Sequence, residues 1–429
     1  MKTTWVAAFA LALTTCGAPS PGGGPALGGP AVVSDPTLDE MDALVRKKFY
    51  SEAVLEKVQW PKLVAAARSK LGKVRTPEER VSVLQDLLAG LHTSHTEYLP
   101  RTEPKYWELA SIFEEIFAEV PAQCPEKEKR LPSLPIAWQD IGVAWKRIEG
   151  RWFVGGVFEG GPAAKAGLLL GDEVVEADAK PFEPVAAFAR RQDQTVELTY
   201  RRTRGGALAK VRVVPRTSQP AKSLQEAMRA SARIVEGNGA RLAYVHVWSW
   251  TGDTMQQELE SAIARLNKEK PSGYILDIRD GWGGAAPDYM DIFHKDVPVL
   301  VSRNREGQEF RVDAKIRVPA VVLINGGSRS GKETMAYGIK KHALAKLVGE
   351  RTAGAMVAGS AHCMPDGALL YLATASVQVD GEVLEGRGVA PDVEVPFDIR
   401  YAAGRDAQLD AAMRALSAQA TTSLQGGPK

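Results

Sequence analysis

The chain has 429 residues, 45% of them hydrophobic and 25% charged, with a formal net charge of +2. That length exceeds what one small core needs and predicts two or three domains. A balance so near neutrality, with no basic block interleaved with aromatics, argues against a nucleic-acid-binding surface or an anionic membrane face.

The N-terminus reads MKTTWVAAFALALTTC. Lys2 supplies a short positive region, and Trp5 to Leu13 an apolar run too short to span a bilayer. Residues 1–16 are expected to be a lipoprotein-type signal peptide, with Cys16 as the lipid-modified residue and the only membrane attachment. Thr15 is unusual before such a cysteine, and plain cleavage with secretion is the alternative. Either way the chain is expected to be exported, as a periplasm-facing bacterial envelope lipoprotein or as a free protein. Residues 17–36 are a Gly/Pro-rich tether that cannot bury a core. Export makes a disulfide possible; Cys124 and Cys363 could pair or remain two free thiols. Neither lies in a CxxC or Cys/His cluster, so no structural metal is expected.

Residues 37–137 read as an N-terminal helical domain and linker. TLDEMDALVRKKFY opens with Thr37 as a helix cap and acidic residues in the first turn. TPEERVSVLQDLLAGL repeats the signal with Thr76, Pro77 and Glu79, and Leu84, Leu87 and Leu88 keep helical spacing. Gly90 stops that helix. His92 and His95, in LHTSHTEYL, therefore fall just beyond a helix end, where a histidine commonly just bonds a carbonyl. Residues 118–137, rich in Pro, Lys and Glu, read as linker. Residues 138–217 change to short alternating strands, with a hairpin break at Glu149-Gly150 and a short helix in GPAAKAGLLLGDE. Residues 218–402 alternate strand and helix. GYILDIRD and AVVLING are nearly all apolar, as buried parallel strands are, so this part is α/β with a mostly parallel sheet. His246, sharing a strand face with Tyr244 and Trp248, reads as packing. Residues 403–429 are expected to form a last helix and tail.

Sites in α/β sheets form where the chain leaves the carboxyl ends of strands. Two such places stand out. ILDIRDGWGG runs into Gly281-Trp282-Gly283-Gly284, which is either a tight turn or a source of backbone donors. VVLINGGSRSGKE runs into a glycine-rich bend, Ser328 and Ser330, and a helix start. A nucleophilic serine suits that place, because a helix N-terminus offers unpaired N–H groups to a developing oxyanion. The competing reading is a capped helix, with Ser328 or Ser330 on the first-turn N–H and Glu333 closing the box. The spacing of a phosphate-binding loop is not met.

GYILDIRDGWGG, VPAVVLINGGSRSGKETMAYGIKKHALAKLVGERTAGA and MPDGALLYLATASVQVDGEVLEGRGVAPDVEVP follow one another in the order of the C-terminal-processing, or tail-specific, serine peptidases, which the chain resembles from about 138 to 397 and in the helical segment around 80 to 117. GPAAKAGLLLGDEVVEADAKP resembles part of a PDZ domain. The resemblance implies an α/β catalytic core of ClpP/crotonase type at 218–402, an inserted PDZ-like domain at 138–217 and the N-terminal helical segment. It departs from the Ser/Lys branch of the family: Ala355, in GERTAGA, stands where the dyad lysine would be. Lys332 is not expected to reach around the helix start as a base. SHT at 94–96 instead resembles the branch of the tricorn core protease. That likeness implies Ser330 as nucleophile, His95 as base, Ser94 and Glu385 to orient the imidazole, and oxyanion donors from Gly331 and from Gly283 or Gly284. Gly142, Val143 and Ala144 would receive a peptide carboxylate. The expected function is cleavage of exported proteins or peptides with extended C-termini, without cofactor or metal and without nucleic acid. A catalytically silent binding protein on the same fold is the alternative, and an ester- or sugar-cleaving hydrolase a weaker third. The oligomeric state is left open.

Overall fold

The computed structural model describes residues 34–425, apart from residue 238. The expected signal peptide, Cys16 and nearly all of the tether lie outside the described residues. No helix among the described residues is long and apolar enough to cross a membrane.

The first helix, Pro36–Lys48, is capped by Asp35 and not by Thr37: the Leu38 N–H donates to Asp35 Oδ1 at 3.0 Å. Pro36 suits the first helical position, where its missing N–H has no partner to lose, and Thr37 is buried inside the first turn. Helix Pro77–Ala89 is capped by Thr76, which accepts from Glu79 N at 3.2 Å. Its Leu84, Leu87 and Leu88 pack with Leu38, Met41, Val45 and Trp60 into one helical core. Beyond it the chain is not purely helical. Glu97–Leu99 is a strand, pairing antiparallel with Leu369–Ala375, which pairs in turn with Ala358–Cys363. Three residues are too few for a period of two to show against the helical pattern around them. Cys124 and Cys363, 239 positions apart, form a disulfide that fastens the 118–137 segment to this sheet.

Trp138–Asp140 and Arg216–Ser218 pair with each other, so the chain enters and leaves the intervening β-unit side by side. Within it, Val143–Ile148, Arg151–Val157, Glu173–Ala177, Val196–Arg201 and Ala209–Val213 follow in antiparallel order, with Val143–Ile148 at an edge. Glu149 and Gly150, both at positive φ, make the first hairpin turn. Ile141, Trp152, Val154, Phe182, Phe188 and Leu198 fill its core.

The largest unit is α/β. Among the described residues its sheet runs Arg233–Gly237, Ala240–His246, Gly273–Asp277, Ala320–Ile324, Lys346–Gly349, Val393–Glu394; the first pairing is antiparallel and the others parallel. Successive residues face opposite ways in a strand, which explains why Gly273–Asp277 and Ala320–Ile324 are buried throughout. Leu242, Ile275, Val321, Leu323 and Val348 face Ala412 and Leu416 of the last helix, Ala407–Gln425. Val245, Leu276, Val322 and Ile324 face the helices Gly252–Lys268 and Gly331–Lys341 through Leu259, Ile263, Met335 and Ile339. The result is three layers, helix on both faces of a central sheet.

Candidate active site

Ser330 lies where strand Ala320–Ile324 ends and helix Gly331–Lys341 begins. Its backbone is left-handed, φ 55° and ψ −128°. Such a conformation in a residue with a Cβ costs about 1–3 kcal/mol and needs support from its surroundings. Support comes from two sides. Ser330 N–H donates to Ala355 O at 3.0 Å and to Glu333 Oε2 at 3.2 Å. Glu333 also accepts from Gly354 N and Ala355 N, each at 2.7 Å, and from Thr352 Oγ1 at 2.6 Å. Burial raises the Glu333 carboxyl above its usual range, against the pull of those donors.

Ser328 is a different case. It is fully buried, accepts from Asn325 N at 3.1 Å and donates to Ile278 O at 2.9 Å. Its hydroxyl proton is spent on a carbonyl, and the side chain locks the bend.

The loop Gly281–Gly284 packs backbone to backbone against Ser330-Gly331. A Cβ on Gly283 would come within 2.5 Å of Arg329 O and 2.7 Å of Ser330 Cβ, and one on Gly331 within 2.2 Å of Ala285 N. Only glycine permits that approach. Neither the Gly331 N–H nor the Gly284 N–H bonds another described residue. Lys332 points away from Ser330. It is fully buried, and its Nζ donates to Asp280 O at 2.5 Å and Trp248 O at 3.4 Å, bracing the glycine loop from behind. Burial lowers this ammonium to about 7, against the attraction of Asp280 and Asp277. Ala355 leaves no amine at its position, and its backbone serves Ser330 and Glu333 instead.

His95 comes from the other end of the chain. His92 and His95 take positive φ of 48° and 52°, turning the chain from helix Pro77–Ala89 into strand Glu97–Leu99. His95 is 7% exposed, its ring 5.0 Å from that of Tyr371. Ser94 Oγ lies 3.0 Å from His95 Nδ1 and donates to Glu385 Oε2 at 2.9 Å. Ser94 N–H donates to Glu385 Oε1 at 2.9 Å. A hydroxyl has one proton. With that proton on Glu385, Ser94 Oγ accepts from Nδ1–H, which leaves Nε2 as the basic nitrogen. Glu385 is held in addition by Met356 N at 2.6 Å and Val357 N at 3.2 Å. Burial and the Arg329 charge lower the His95 imidazole to about 4, with Lys105 adding to them and Glu385 and Glu97 opposing. The ring is therefore neutral near pH 7 and can accept a proton.

No hydrogen bond joins His95 to Ser330 among the described residues; Arg329, beside Ser330, is one of the charged groups that act on the imidazole. Gly142 departs from expectation. Its N–H donates to Asp140 Oδ1 at 2.7 Å in a buried turn and is not free for a carboxylate. Val143 and Ala144 stand on the edge strand, opposite Val157 and Gly156. A cavity of about 460 Å³ lies between the β-unit and the sheet, lined by Lys146, Gly156, His246, Trp248, Asp280 and Asp406 among others. Ser330, His95 and Glu385 are not in its lining. His246 stacks on Trp248 at 3.6 Å and bonds Arg279 O, a packing role.

The sequence suggests Glu333 as the closing member of a capping box, which its bond to Ser330 N–H matches, but it does not show Lys332 as a brace or the charged group Glu97, Lys105 and Arg329. Glu97 and Arg329 each sit within two residues of a named candidate, which was the available signal.

Residues 241–395 match the description "Peptidase family S41". The chain is 24% identical to the carboxy-terminal processing protease CtpA of Bacillus subtilis over 277 residues, 61% of this chain and 57% of that protein. It is 25% identical to a putative tricorn protease homolog 2 of Streptomyces coelicolor over 402 residues, 88% of this chain and 31% of that protein. The chain thus spans less than two thirds of the length of these relatives. The crystal structure of the tricorn protease superposes with a TM-score of 0.50 at 16% identity, over 90% of this chain and 36% of that one, a likeness of fold. Residues 241–395, the α/β core that presents Ser330, are thus similar to peptidase family S41.

Proposed function

We propose that the protein is a serine endopeptidase that hydrolyses peptide bonds through an acyl-enzyme. The observation that carries this reading is the hydrogen-bonded series Glu385–Ser94–His95, built from segments 291 positions apart and attached to a core that matches the description of peptidase family S41. In this reading Ser330 Oγ attacks the carbonyl, His95 Nε2 takes its proton and returns it to the leaving amine, and Ser94 with Glu385 holds the ring and its tautomer. The N–H groups of Gly331 and of Gly283 or Gly284 would stabilise the oxyanion. Lacking an amine at Ala355, the chain runs the reaction on histidine where the Ser/Lys branch uses lysine. No step calls for a cofactor.

Substrates in this reading are proteins or peptides with extended, accessible tails. The β-unit 138–217 would act as a PDZ-like domain, adding a peptide strand along the open edge Val143–Ile148. With Gly142 N–H engaged, the carboxylate would fall to Val143 and Ala144. Export is supported by the Cys124–Cys363 disulfide, which persists in oxidising compartments, and Cys16 would anchor the mature chain.

The test is fluorophosphonate labelling together with casein cleavage by the full chain and its Ser330→Ala and His95→Ala variants. Labelling and cleavage are expected in the wild type, lost in Ser330→Ala and sharply reduced in His95→Ala. Labelling that survives Ser330→Ala removes the nucleophile assignment. A wild type that neither labels nor cleaves leaves a binding protein on this fold.

A further inference from the structure

Four charged groups crowd the approach to His95 and Ser330. Glu97 and Lys105 form an ion pair with side chains 34% and 30% exposed. Lys105 Nζ lies 5.9 Å from the ring centroid of Trp282, whose indole N–H is taken by Glu108 Oε2 at 2.6 Å. The fourth is Arg329, the residue directly before Ser330. A guanidinium carries five N–H donors in a planar fork suited to a carboxylate. The Arg329 side chain is 29% exposed, and among the described residues it makes no hydrogen bond; its nearest carboxylate is Glu97, at 4.0 Å and already in contact with Lys105. Two cations thus share one carboxylate beside the candidate nucleophile, and Glu108 is spent on an indole. The four charges balance in number, and Arg329 alone among them presents a fork with no hydrogen-bond partner among the described residues.

We propose that Arg329 reads a substrate carboxylate next to the scissile bond, so that the enzyme prefers peptides with an acidic group there. The proposal rests on the peptidase reading above and adds a substrate class to it. It has a second consequence. The groups facing the His95 ring are Arg329 and Lys105, which oppose its protonation, Glu97 and Glu385, which favour it, and Tyr371. A carboxylate on Arg329 cancels the stronger of the two opposing charges. Bound substrate then makes His95 a stronger base at the moment it is needed, while in the empty site Arg329 adds to burial in keeping the ring neutral. Arg329 is in this reading a specificity-determining residue that also sets the proton affinity of its neighbour.

The experiment uses the full chain and paired peptides, each carrying Asp or Glu, or Asn or Gln, at single positions around a mapped cleavage site. Each peptide is made with a free and with an amidated C-terminus. Wild type is expected to favour the carboxylate by about tenfold or more in kcat/KM, the scale of a charge-assisted hydrogen bond. The preference is expected to collapse toward one in Arg329→Gln, to survive in good part in Arg329→Lys, and to increase in Glu97→Gln, which removes the competing carboxylate. Measured on an uncharged peptide, the acid limb of kcat/KM should move to higher pH in Arg329→Gln, a change that a merely structural arginine would not produce. Loss of rate with Asn or Gln places the carboxylate on a side chain; loss on amidation places it at the chain end. Either outcome, if it depends on Arg329, supports the assignment. Ser330-dependent cleavage with no such preference, or with one that Arg329→Gln leaves intact, overturns it while the peptidase stands. Absence of Ser330-dependent cleavage of every peptide overturns the peptidase reading itself, and this one with it.

Discussion

Ser94 and Glu385 lie 291 positions apart and are joined twice, through the backbone N–H and the side-chain hydroxyl of the serine, each at 2.9 Å from a different carboxylate oxygen. The pair of bonds fixes the serine's position and its rotamer together. Because the hydroxyl gives its proton to Glu385, the imidazole next to it can only donate from Nδ1. Ser94 thus passes the influence of a carboxylate to a ring that the carboxylate does not itself touch.

Removing that hydroxyl should leave the fold intact and loosen the ring. Ser94→Ala is expected to lower kcat by about 10- to 100-fold with little change in KM, the pattern of a group that acts on the transition state through its neighbour. Ser94→Thr keeps a hydroxyl and should recover much of the loss. Equal activity in Ser94→Ala and wild type would show that the imidazole needs no such support.

The pH profile should carry the mark of the buried histidine. An imidazole held at about 4 by burial and the Arg329 charge is deprotonated over a wider range than one in water, which titrates near 6.5. With His95 as the proposed base, activity would need the neutral ring, and so would be present above the folded value and lost as pH falls through it. The acid limb of kcat/KM is therefore expected near pH 4, with a plateau already reached by about pH 5.5. A limb centred at 6 to 7 would place a different group, or a solvated ring, in the base's position.

Much of this was legible in the chain, and what was not has physical causes. The apolar runs at 273–277 and 320–324 announced buried parallel strands because both of their faces are covered, one by the last helix and one by the helices at 252–268 and 331–341. The strand Glu97–Leu99 was hidden because its partner is 270 residues away and three residues carry no period. The cap at Asp35 lost to Thr37 in the sequence because Pro36 can begin a helix that the apolar pattern alone would start two residues later. Ser328 and Ser330 looked alike in sequence, and only the partners of each hydroxyl distinguish them. Lys332 showed no role, since its task is to hold two carbonyl oxygens of distant loops, and no spacing encodes that.

Lys332 should matter to the site without touching it. Its ammonium is fully buried and holds Asp280 O and Trp248 O, at either end of the contact that supports the glycine loop. Lys332→Met keeps the volume and leaves Asp280 O without a donor, while Trp248 O keeps the Trp282 N–H, at a cost of about 1–3 kcal/mol in stability. The loop that packs on Ser330-Gly331 should relax, and fluorophosphonate labelling of Ser330 should slow by more than tenfold under conditions where the variant remains folded. Unfolding in urea reports the first effect and labelling rate the second. A stable variant that labels at the wild-type rate would separate the lysine from the loop's geometry.

His362 gives the fold a weakness toward acid. It is 1% exposed, next to the disulfide cysteine on strand Ala358–Cys363, and neither ring nitrogen has a hydrogen-bond partner. Burial, with a smaller contribution from the Lys48 charge, lowers the ring to about 3. In the unfolded chain it titrates near 6.5, so between those values the unfolded state holds a proton that the folded state does not. The stabilisation is present above pH 6.5 and lost as pH falls toward 3. Between pH 7 and pH 5 this one ring should account for about 2 kcal/mol of lost stability. His362→Leu removes the titrating group and leaves an apolar side chain in an apolar place. Urea unfolding of wild type and variant at the two pH values should show the wild type losing about that much more. His95 contributes to both proteins equally and cancels in the comparison. Parallel losses would mean that the His362 ring is already charged, or hydrated, in the native state.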